Sequence, residues 1–302
     1  MIYSLISIAC ALLLAPLYTG VINRVKALMA GRRGPPLLQL YYDIYKLLHK
    51  GAVYSRTTGL LFKTGPVVSL AALLAILALL PAGGHSGLFS FSGDILVVAY
   101  FLAISRFFTV LAALDTGSSF EGMGASREMQ FGLLLEPAFF CVFAALARLT
   151  GSLDLSGIYA GLSPASWLQA TPVLLPVTAV LFIALLVENA RIPIDDPSTH
   201  LELTMIHEVM ILDHSGPDLA LLEYAASLKI WISATLLAGI LCPLHSGTYW
   251  IDMLVFLMIM GLTATLAGML ESTMARLRLI KIPHLLTGTL ALAALSFIVQ
   301  IR

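Results

Sequence analysis

The stretch TPVLLPVTAVLFIALLVENAR, residues 171–191, contains an apolar run that ends abruptly in charge. Residues 171–187 include no ionisable side chain, and Glu188 and Arg191 follow directly. A helix needs about 20 mainly apolar residues to cross the hydrocarbon core of a bilayer. The stretch is therefore typical of a transmembrane helix that ends at a polar boundary.

Seven other runs share this apolar character, and of the 302 residues 59% are hydrophobic and only 11% are charged. Soluble domains carry about 25% charged residues. The sequence therefore predicts an all-α, polytopic membrane protein that forms one integral membrane domain over residues 1–302. Its candidate transmembrane helices, about eight, lie at roughly 2–22, 65–82, 94–114, 130–150, 171–187, 225–243, 249–270 and 285–301.

Basic residues are distributed on one side of the predicted topology. Fourteen of the 17 Lys and Arg residues lie in four alternate segments, 23–63, 115–129, 188–229 and 271–284. Cytoplasmic loops of membrane proteins carry an excess of Lys and Arg. We therefore expect a multi-pass protein of the cell inner (cytoplasmic) membrane, with the charged loops in the cytoplasm and both termini outside.

The composition also limits the classes of partner and cofactor. The formal net charge is zero, which argues against nucleic acid as a partner. Cys10, Cys141 and Cys242 are far apart in sequence and show no CxxC or Cys/His spacing. We therefore expect no catalytic residue, no metal and no cofactor bound directly by this chain.

The segment GRRGPPLLQLYYDIYKLLHKG, residues 31–51, has apolar residues at helical spacing after Pro36. It predicts an amphipathic helix at the cytoplasmic interface. Contact with membrane lipid explains the lysines and tyrosines. It does not explain the rigid entry at Arg32 and Arg33, which favours a defined docking surface.

The segment DTGSSFEGMGASREMQFGLLLEP, residues 115–137, predicts a tight loop followed by an apolar helix that opens at Arg127 and Glu128. Glu136 then lies about 13 Å deeper along that helix. An acid at the centre of a transmembrane helix costs about 2.5–3.5 kcal/mol. We expect Glu136 to relay protons with Arg127 as a charge partner, although a snorkelling acid near the boundary is the alternative.

Residues 187–224 hold eight carboxylates, three histidines and one basic residue, Arg191. Arg191 follows Glu188 by three residues, which predicts an ion pair between them. Pro193 and Pro197 exclude a smooth helix there. A solvated loop is one interpretation, but residues 199–212 alternate acids and histidines with bulky apolar residues and favour a half-buried helix, where close carboxylates share protons.

These blocks, in this order and spacing, resemble one family. It is the membrane component shared by respiratory complex I (NADH dehydrogenase subunit 1) and the energy-converting membrane-bound [NiFe] hydrogenases. The residues that match its first motif are Arg32, Arg33, Gly34, Pro35, Leu38, Gln39, Asp43 and Lys46. The segments DTGS…GASRE…EP and ESTMARLRL (residues 271–279) are similar to the hydrogenase branch, which includes formate hydrogenlyase subunit 4 and hydrogenase-4 component C. Two glutamates of the family pattern are replaced by Ser198 and His200.

The resemblance implies a coupling role in a larger complex. It implies docking of hydrogenase large and small [4Fe-4S] subunits, with antiporter-like membrane subunits beside the chain and the [NiFe] and [4Fe-4S] centres on partner subunits. The docking residues would be Arg32, Arg33, Gln39, Asp43 and Lys46. The proton path would comprise Glu136, Glu188, Asp195, Glu202, Glu208, Asp213 and Glu271, with Arg127 and Arg191 as charge partners.

Three alternative functions stay open at this point. A complex I component would form a quinone chamber, an independent secondary transporter would carry its own substrate path, and a passive anchor would couple nothing. Transporters usually show internal repeats and broken mid-membrane helices. The sequence shows neither, which favours a component of an oxidoreductase complex that has no activity alone.

Overall fold

A computed structural model describes residues 2–195, 205–243 and 246–301, and the secondary structure of this part of the chain is helical apart from one isolated bridge between Ala82 and His85. Eight helices in it are long and apolar enough to span a membrane, which confirms the predicted fold class. They are α1 (Ile2–Met29), α3 (Leu60–Leu79), α4 (Asp94–Asp115), α5 (Ser119–Thr150), α8 (Thr171–Glu188), α10 (Gly216–Leu241), α11 (Tyr249–Thr273) and α12 (Ile282–Ile301), the last preceded by a 3₁₀ turn, Leu279–Lys281.

Four short helices lie between the spans. They are α2 (Gln39–Leu48), α6 (Leu155–Gly161), α7 (Pro164–Gln169) and α9 (His207–Met210). Helix α2 occupies the segment predicted to be amphipathic and has no fully buried residue. It packs against α10 and α1, so one face of it meets the bundle and the other is available to lipid or to a partner.

Helix α10 lies at the centre of the bundle and is the most enclosed of the described spans. It packs against α1, α3, α8 and α11, while α3 pairs with α4 and α5 pairs with α12. Branched and small apolar side chains such as Leu228, Ile232 and Ala234 fill this centre and are almost fully buried. A charged side chain on α10 is therefore held inside protein rather than against lipid.

The ends of the helices define two sides of the molecule. We call the side that contains Asp115, at the end of α4, the charged side. There Asp115 accepts hydrogen bonds from the backbone N–H groups of Gly59 at 2.6 Å and Phe62 at 3.1 Å. On the same side, the chain after α2 meets the start of α10 through a hydrogen bond of 2.9 Å from Val53 N to Ser215 Oγ. The opposite side carries the first turn of α4.

Helix α5 differs from its prediction. It begins at Ser119, so Arg127 and Glu128 lie on its third turn rather than opening it. Gly122 and Gly124 lie within this helix rather than in a loop, and Gly124 allows close packing. A Cβ at Gly124 would lie 2.2 Å from Val209 Cγ1 and 2.8 Å from the Ile206 carbonyl oxygen. Tertiary contact with the segment around α9 therefore overrides the local loop signal.

Candidate functional site: a buried charged cluster

Arg106 lies near the middle of α4 and is the hub of a buried ionic network. Its exposed fraction is 7%. Its Nη1 donates to Glu136 Oε1 at 2.8 Å, its Nη2 donates to Glu188 Oε1, and its Nε lies 3.7 Å from Glu128 Oε1. One guanidinium therefore contacts three carboxyls, and its five N–H donors suit this forked arrangement.

Lys229 supplies a second cation from α10. Its Nζ lies 3.0 Å from Glu188 Oε2 and 3.9 Å from Glu128 Oε1. Glu188 therefore lies between the two cations. We call Arg106, Glu128, Glu136, Glu188 and Lys229 the charged cluster.

The charged cluster contains more acids than bases. Three carboxyls face two cations, so full ionisation would leave one uncompensated negative charge. Four of the five residues are at most 8% exposed, whereas the Glu136 side chain is 44% exposed. A buried charge without a partner is costly, and the group neutralises instead. Closely coupled carboxyls of this kind titrate as a unit and can hold one exchangeable proton between them.

Space for the Arg106 guanidinium comes from a glycine. A Cβ at Gly132 on α5 would lie 2.0 Å from Arg106 Nη1 and 2.8 Å from Arg106 Cζ. Gly132 is one turn before Glu136, so the missing side chain opens the route by which the guanidinium reaches that carboxyl. Pro137 follows Glu136 inside the helix and cannot donate to the Leu133 carbonyl.

A cavity of about 780 Å³ leads from the charged side to this cluster. We call it the inner cavity. Glu188 and Lys229 line its deep end, and Arg32, Gln39 and Asp43 line its rim beside α2. The cavity is polar enough and large enough to hold water. It connects Glu188 and Lys229 of the charged cluster with the surface around α2.

His207, on α9, also lines the inner cavity. Burial lowers the pKa of His207 to about 4, and the positive charge of Lys229 lowers this pKa as well. The imidazole is therefore neutral near pH 7 and adds no charge to the cavity. Neutral histidine can both donate and accept a hydrogen bond, which suits a proton relay.

Glu271 forms a second ionic group near the inner cavity. Its Oε1 lies 3.4 Å from Arg191 Nη1, and its Oε2 lies 3.7 Å from Lys26 Nζ. The predicted pair between Glu188 and Arg191 is therefore wrong.

The end of α8 explains that error. The backbone N–H of Arg191 donates to the Leu186 carbonyl and that of Ala190 donates to the Val187 carbonyl, while Ala190 has a positive φ of 45°. This is the helix-ending motif of a left-handed residue. It turns the chain, so Arg191 does not continue the helical face of Glu188.

The remaining predicted acids are dispersed. Asp195 pairs with Arg276 at 2.8 Å and accepts a hydrogen bond from the Ile206 N–H at 2.8 Å, which fixes the chain on both sides of residues 196–204. Glu208 lines the inner cavity, and the backbone N–H of Asp213 donates to Glu121. Glu202 lies outside the described residues.

The structure also gives contacts for the predicted charge partners and docking residues. Arg127 donates to the Met205 carbonyl at 3.0 Å, so it holds the α9 segment, and Arg106 is the cation that meets Glu136. Gln39 Nε2 donates to Asp43 Oδ1 at 2.9 Å. The docking residues exposed on the charged side are Arg32, Arg33 and Lys46.

Three members of the charged cluster are absent from the predicted proton path: Arg106, Glu128 and Lys229. The sequence contains a feature that could have identified Arg106 as a functional residue. Arg106 is the only basic residue within the apolar run 94–114, and an ionisable residue inside a span marks a functional site by default. Lys229 was counted with the basic segment 188–229, at the start of the predicted span 225–243, whereas α10 begins at Gly216 and places Lys229 on its fourth turn.

Comparison with known proteins places the chain in a family. The family model described as NADH dehydrogenase matches residues 2–301, so the chain belongs to this family. It is a multi-span membrane protein of the kind found in respiratory and hydrogenase membrane complexes.

The relatives include both branches. Hydrogenase-4 component C of Escherichia coli (strain K12) is 33% identical, over 98% of this chain and 95% of the relative. Formate hydrogenlyase subunit 4 of the same organism is 30% identical, over 98% of this chain and 97% of the relative. An NADH-quinone oxidoreductase subunit of Rickettsia canadensis (strain McKiel) is 28% identical, over 82% of this chain and 75% of the relative.

A solved structure shares the fold. A chain of the membrane-bound sulfane sulfur reductase, an archaeal respiratory membrane complex, superposes with a TM-score of 0.83. The match covers 99% of this chain and 98% of that chain at 19% identity. The arrangement of eight spans is therefore shared well beyond the range of close sequence similarity.

Proposed function

We propose that this chain is the anchor and coupling subunit of an energy-converting, membrane-bound [NiFe] hydrogenase-type complex, similar to formate hydrogenlyase. It docks a peripheral redox arm at the charged side and links electron transfer to proton translocation. The observation that carries this proposal is the inner cavity, which joins a rim beside α2 to the buried charged cluster. An anchor alone needs no such internal charge.

The docking surface would comprise the entry to α2 and its exposed side. Arg32 lines the rim of the inner cavity, and Arg33 is exposed beside it. The partners would be the hydrogenase large and small [4Fe-4S] subunits, which carry the redox centres, and antiporter-like membrane subunits. In the described part of the chain no group of three His, Cys, Asp or Glu side chains could hold a metal ion. That the redox centres lie on partner subunits stays a prediction.

The charged cluster would store and pass the proton. Three carboxyls and two cations hold one proton among them at charge balance. A proton that enters from the inner cavity reaches Glu188 first, and Arg106 connects Glu188 to Glu128 and Glu136. A change of charge near the inner cavity then changes the proton affinity of the whole group.

The lining of the inner cavity favours this function over a quinone chamber. The described residues that line it include nine with Asp, Glu, Lys or Arg side chains, and none is Phe, Tyr or Trp. Binding pockets for small organic ligands are mainly apolar and aromatic. A quinone titration of the intact complex distinguishes the two functions, because a quinone chamber requires saturable, quinone-dependent electron transfer.

The test of the coupling role is substitution of the cluster acids. Glu188→Gln and Glu136→Gln keep the shape of the side chain and remove the titratable proton. We expect both variants to assemble, to retain the partner subunits and to lose proton translocation in proteoliposomes. Full translocation by an assembled Glu188→Gln complex would contradict the proposal, whereas failure to assemble would indicate a structural ion pair.

The proposed orientation has its own test. We propose that the charged side faces the cytoplasm of the cell and that both termini face outside, because Lys and Arg residues concentrate in cytoplasmic loops. Single cysteines placed in residues 83–90 should be labelled by an impermeant reagent from outside only. Labelling of those cysteines from the cytoplasm alone would reverse the orientation.

A further inference from the structure

Asp94 is a buried acid that the proposed path does not use. It is the first residue of α4, about 32 Å from Asp115 at the charged side by the helical rise. Its exposed fraction is 0%. Its Oδ1 accepts a hydrogen bond from the Leu155 N–H at 2.9 Å, whereas its Oδ2 is buried and has no hydrogen-bond partner among the described residues. An unsatisfied buried carboxyl oxygen costs free energy and calls for an explanation.

A second cavity, of about 230 Å³, lies between α4 and α5. We call it the outer cavity. At one end it is lined by Arg106, Glu136 and Glu188 of the charged cluster. At the other end it is lined by Ile95 and Leu155. Ile95 follows Asp94 in the chain, and Leu155 is its hydrogen-bond donor, so the outer cavity extends from the cluster to the surroundings of Asp94.

The dimensions of the outer cavity suit a chain of water molecules. Ile95 and Arg106 are eleven residues apart on α4, which is about 16 Å along the helix. At about 30 Å³ of liquid volume per water molecule, 230 Å³ holds roughly seven waters. That number is enough for a hydrogen-bonded file of this length.

The walls between the two ends of the outer cavity are apolar except at Tyr100. They include Val98, Leu102, Phe139, Phe143 and Leu236. Apolar cavities stay dry unless polar groups hold the water. Hydrophobic constrictions gate conduction by dewetting. Protons therefore could not cross the outer cavity while it is dry, and could cross it when water enters.

We propose that the outer cavity is a gated proton outlet and that Asp94 is its terminal acceptor, on the side of the membrane opposite the docking surface. This inference rests on the proposed function. In the step, the O–H bond of the one protonated carboxyl in the charged cluster breaks. The proton passes along the water file, an O–H bond forms at Asp94 Oδ2, and Asp94 then releases the proton to the opposite surface. No oxidant or reductant takes part.

A structural role for Asp94 makes a different prediction. Its hydrogen bond from the Leu155 N–H holds the start of α6 against the start of α4. The variant Asp94→Asn keeps an oxygen that accepts this hydrogen bond and removes the titratable carboxyl. Asp252 offers a matched control. It is also a buried acid in the first turn of a span, and its Oδ1 accepts the Ser246 N–H at 2.8 Å. Unlike Asp94, it has neither a chain neighbour nor a described hydrogen-bond donor that lines the outer cavity.

The experiment compares the assembled complexes in proteoliposomes by protons translocated per electron. We expect Asp94→Asn to lower this ratio roughly tenfold or more, since a positioned proton carrier commonly contributes about 10²–10⁴-fold, and Asp252→Asn to leave it unchanged. Ala99→Phe tests the path without touching an acid, because Ala99 lines the outer cavity and a phenyl ring there excludes water. It should lower the ratio as Asp94→Asn does.

The outcomes separate the inference from the proposed function. If Glu188→Gln abolishes translocation while Asp94→Asn and Ala99→Phe translocate like Asp252→Asn, the outlet is elsewhere and the inference is overturned. If Glu188→Gln also translocates fully, the coupling role itself fails. If Asp94→Asn does not assemble, the result for Ala99→Phe decides, because unchanged translocation with a filled cavity overturns the outlet.

Discussion

Gly132→Ala is a sharp test of the charged cluster, because it adds one methyl group and changes no charge. The new Cβ would lie 2.0 Å from Arg106 Nη1, whereas ordinary van der Waals contact begins near 3.4 Å. The guanidinium must therefore retreat from α5 by at least about 1.4 Å. Its end is flexible, so the side chain can move without displacing the helices.

The retreat separates Arg106 from Glu136. Their atoms are now 2.8 Å apart, and a movement of this size directed away from α5 lengthens the distance to about 4.2 Å, outside the range of a hydrogen bond. Glu136 then loses its cation, while Arg106 keeps its contact with Glu188. We expect a complex that assembles normally and translocates protons roughly tenfold less efficiently, which corresponds to about 1.4 kcal/mol in a barrier.

The control is Gly122→Ala on the same helix, where a Cβ would meet nothing within 4 Å. Both substitutions raise helix propensity by up to about 1 kcal/mol, so a difference between them reports on Arg106. Proton translocation per electron in proteoliposomes and co-purification of partner subunits measure function and assembly separately. Equal translocation by Gly132→Ala and Gly122→Ala would refute the requirement for this Arg106 geometry.

Three other predictions follow from the same contacts. Lys229→Gln leaves three carboxyls with one cation and should destabilise the complex by about 3–5 kcal/mol. Glu188→Gln balances the charges and should cost less, about 1.5–3 kcal/mol. Thermal denaturation that ranks the two variants in the reverse order contradicts the charge count. Charge reversal at both Arg32 and Arg33 should release the peripheral partner from membranes, and unchanged co-purification in moderate salt counts against docking there. Burial lowers the pKa of His214 from 6.5 to about 4, so between these pH values the folded chain binds fewer protons than the unfolded chain. The stability of the fold should therefore decrease as the pH drops from about 6.5 to about 4. The variant His214→Phe should reduce the pH dependence of stability in that range of an acid-unfolding curve.

The spans were predictable because their signal is contained in single segments. A run such as 171–187 needs only length and apolar composition to be recognised. The cluster was not predictable in the same way, because its contacts join distant segments. Arg106 and Glu188 are 82 residues apart in sequence, and Arg106 and Glu136 are 30 apart. A single sequence identifies buried charges but does not say which helices meet.

Two errors come from applying a local rule to a segment whose conformation was set by something else. The glycine-rich start of α5 was interpreted as a loop, although Gly124 is small because Val209 packs against it. The pair between Glu188 and Arg191 was inferred from helical spacing, although the helix ends between them. In both cases a local rule was correct for an isolated segment, and contacts from elsewhere in the chain, or a change of backbone conformation, decided the outcome.

The charge imbalance of the cluster also bears on how a redox event could act over a distance. If the group holds one proton among three carboxyls, its proton affinity depends on the surrounding potential. A unit charge created about 10 Å away, at an effective dielectric constant of about 20, contributes about 1.7 kcal/mol. One pKa unit corresponds to about 1.4 kcal/mol, so such a charge changes proton affinity more than tenfold. Because the inner cavity reaches from the rim at Arg32 to Glu188, a charge that enters it acts on the cluster without any movement of a helix.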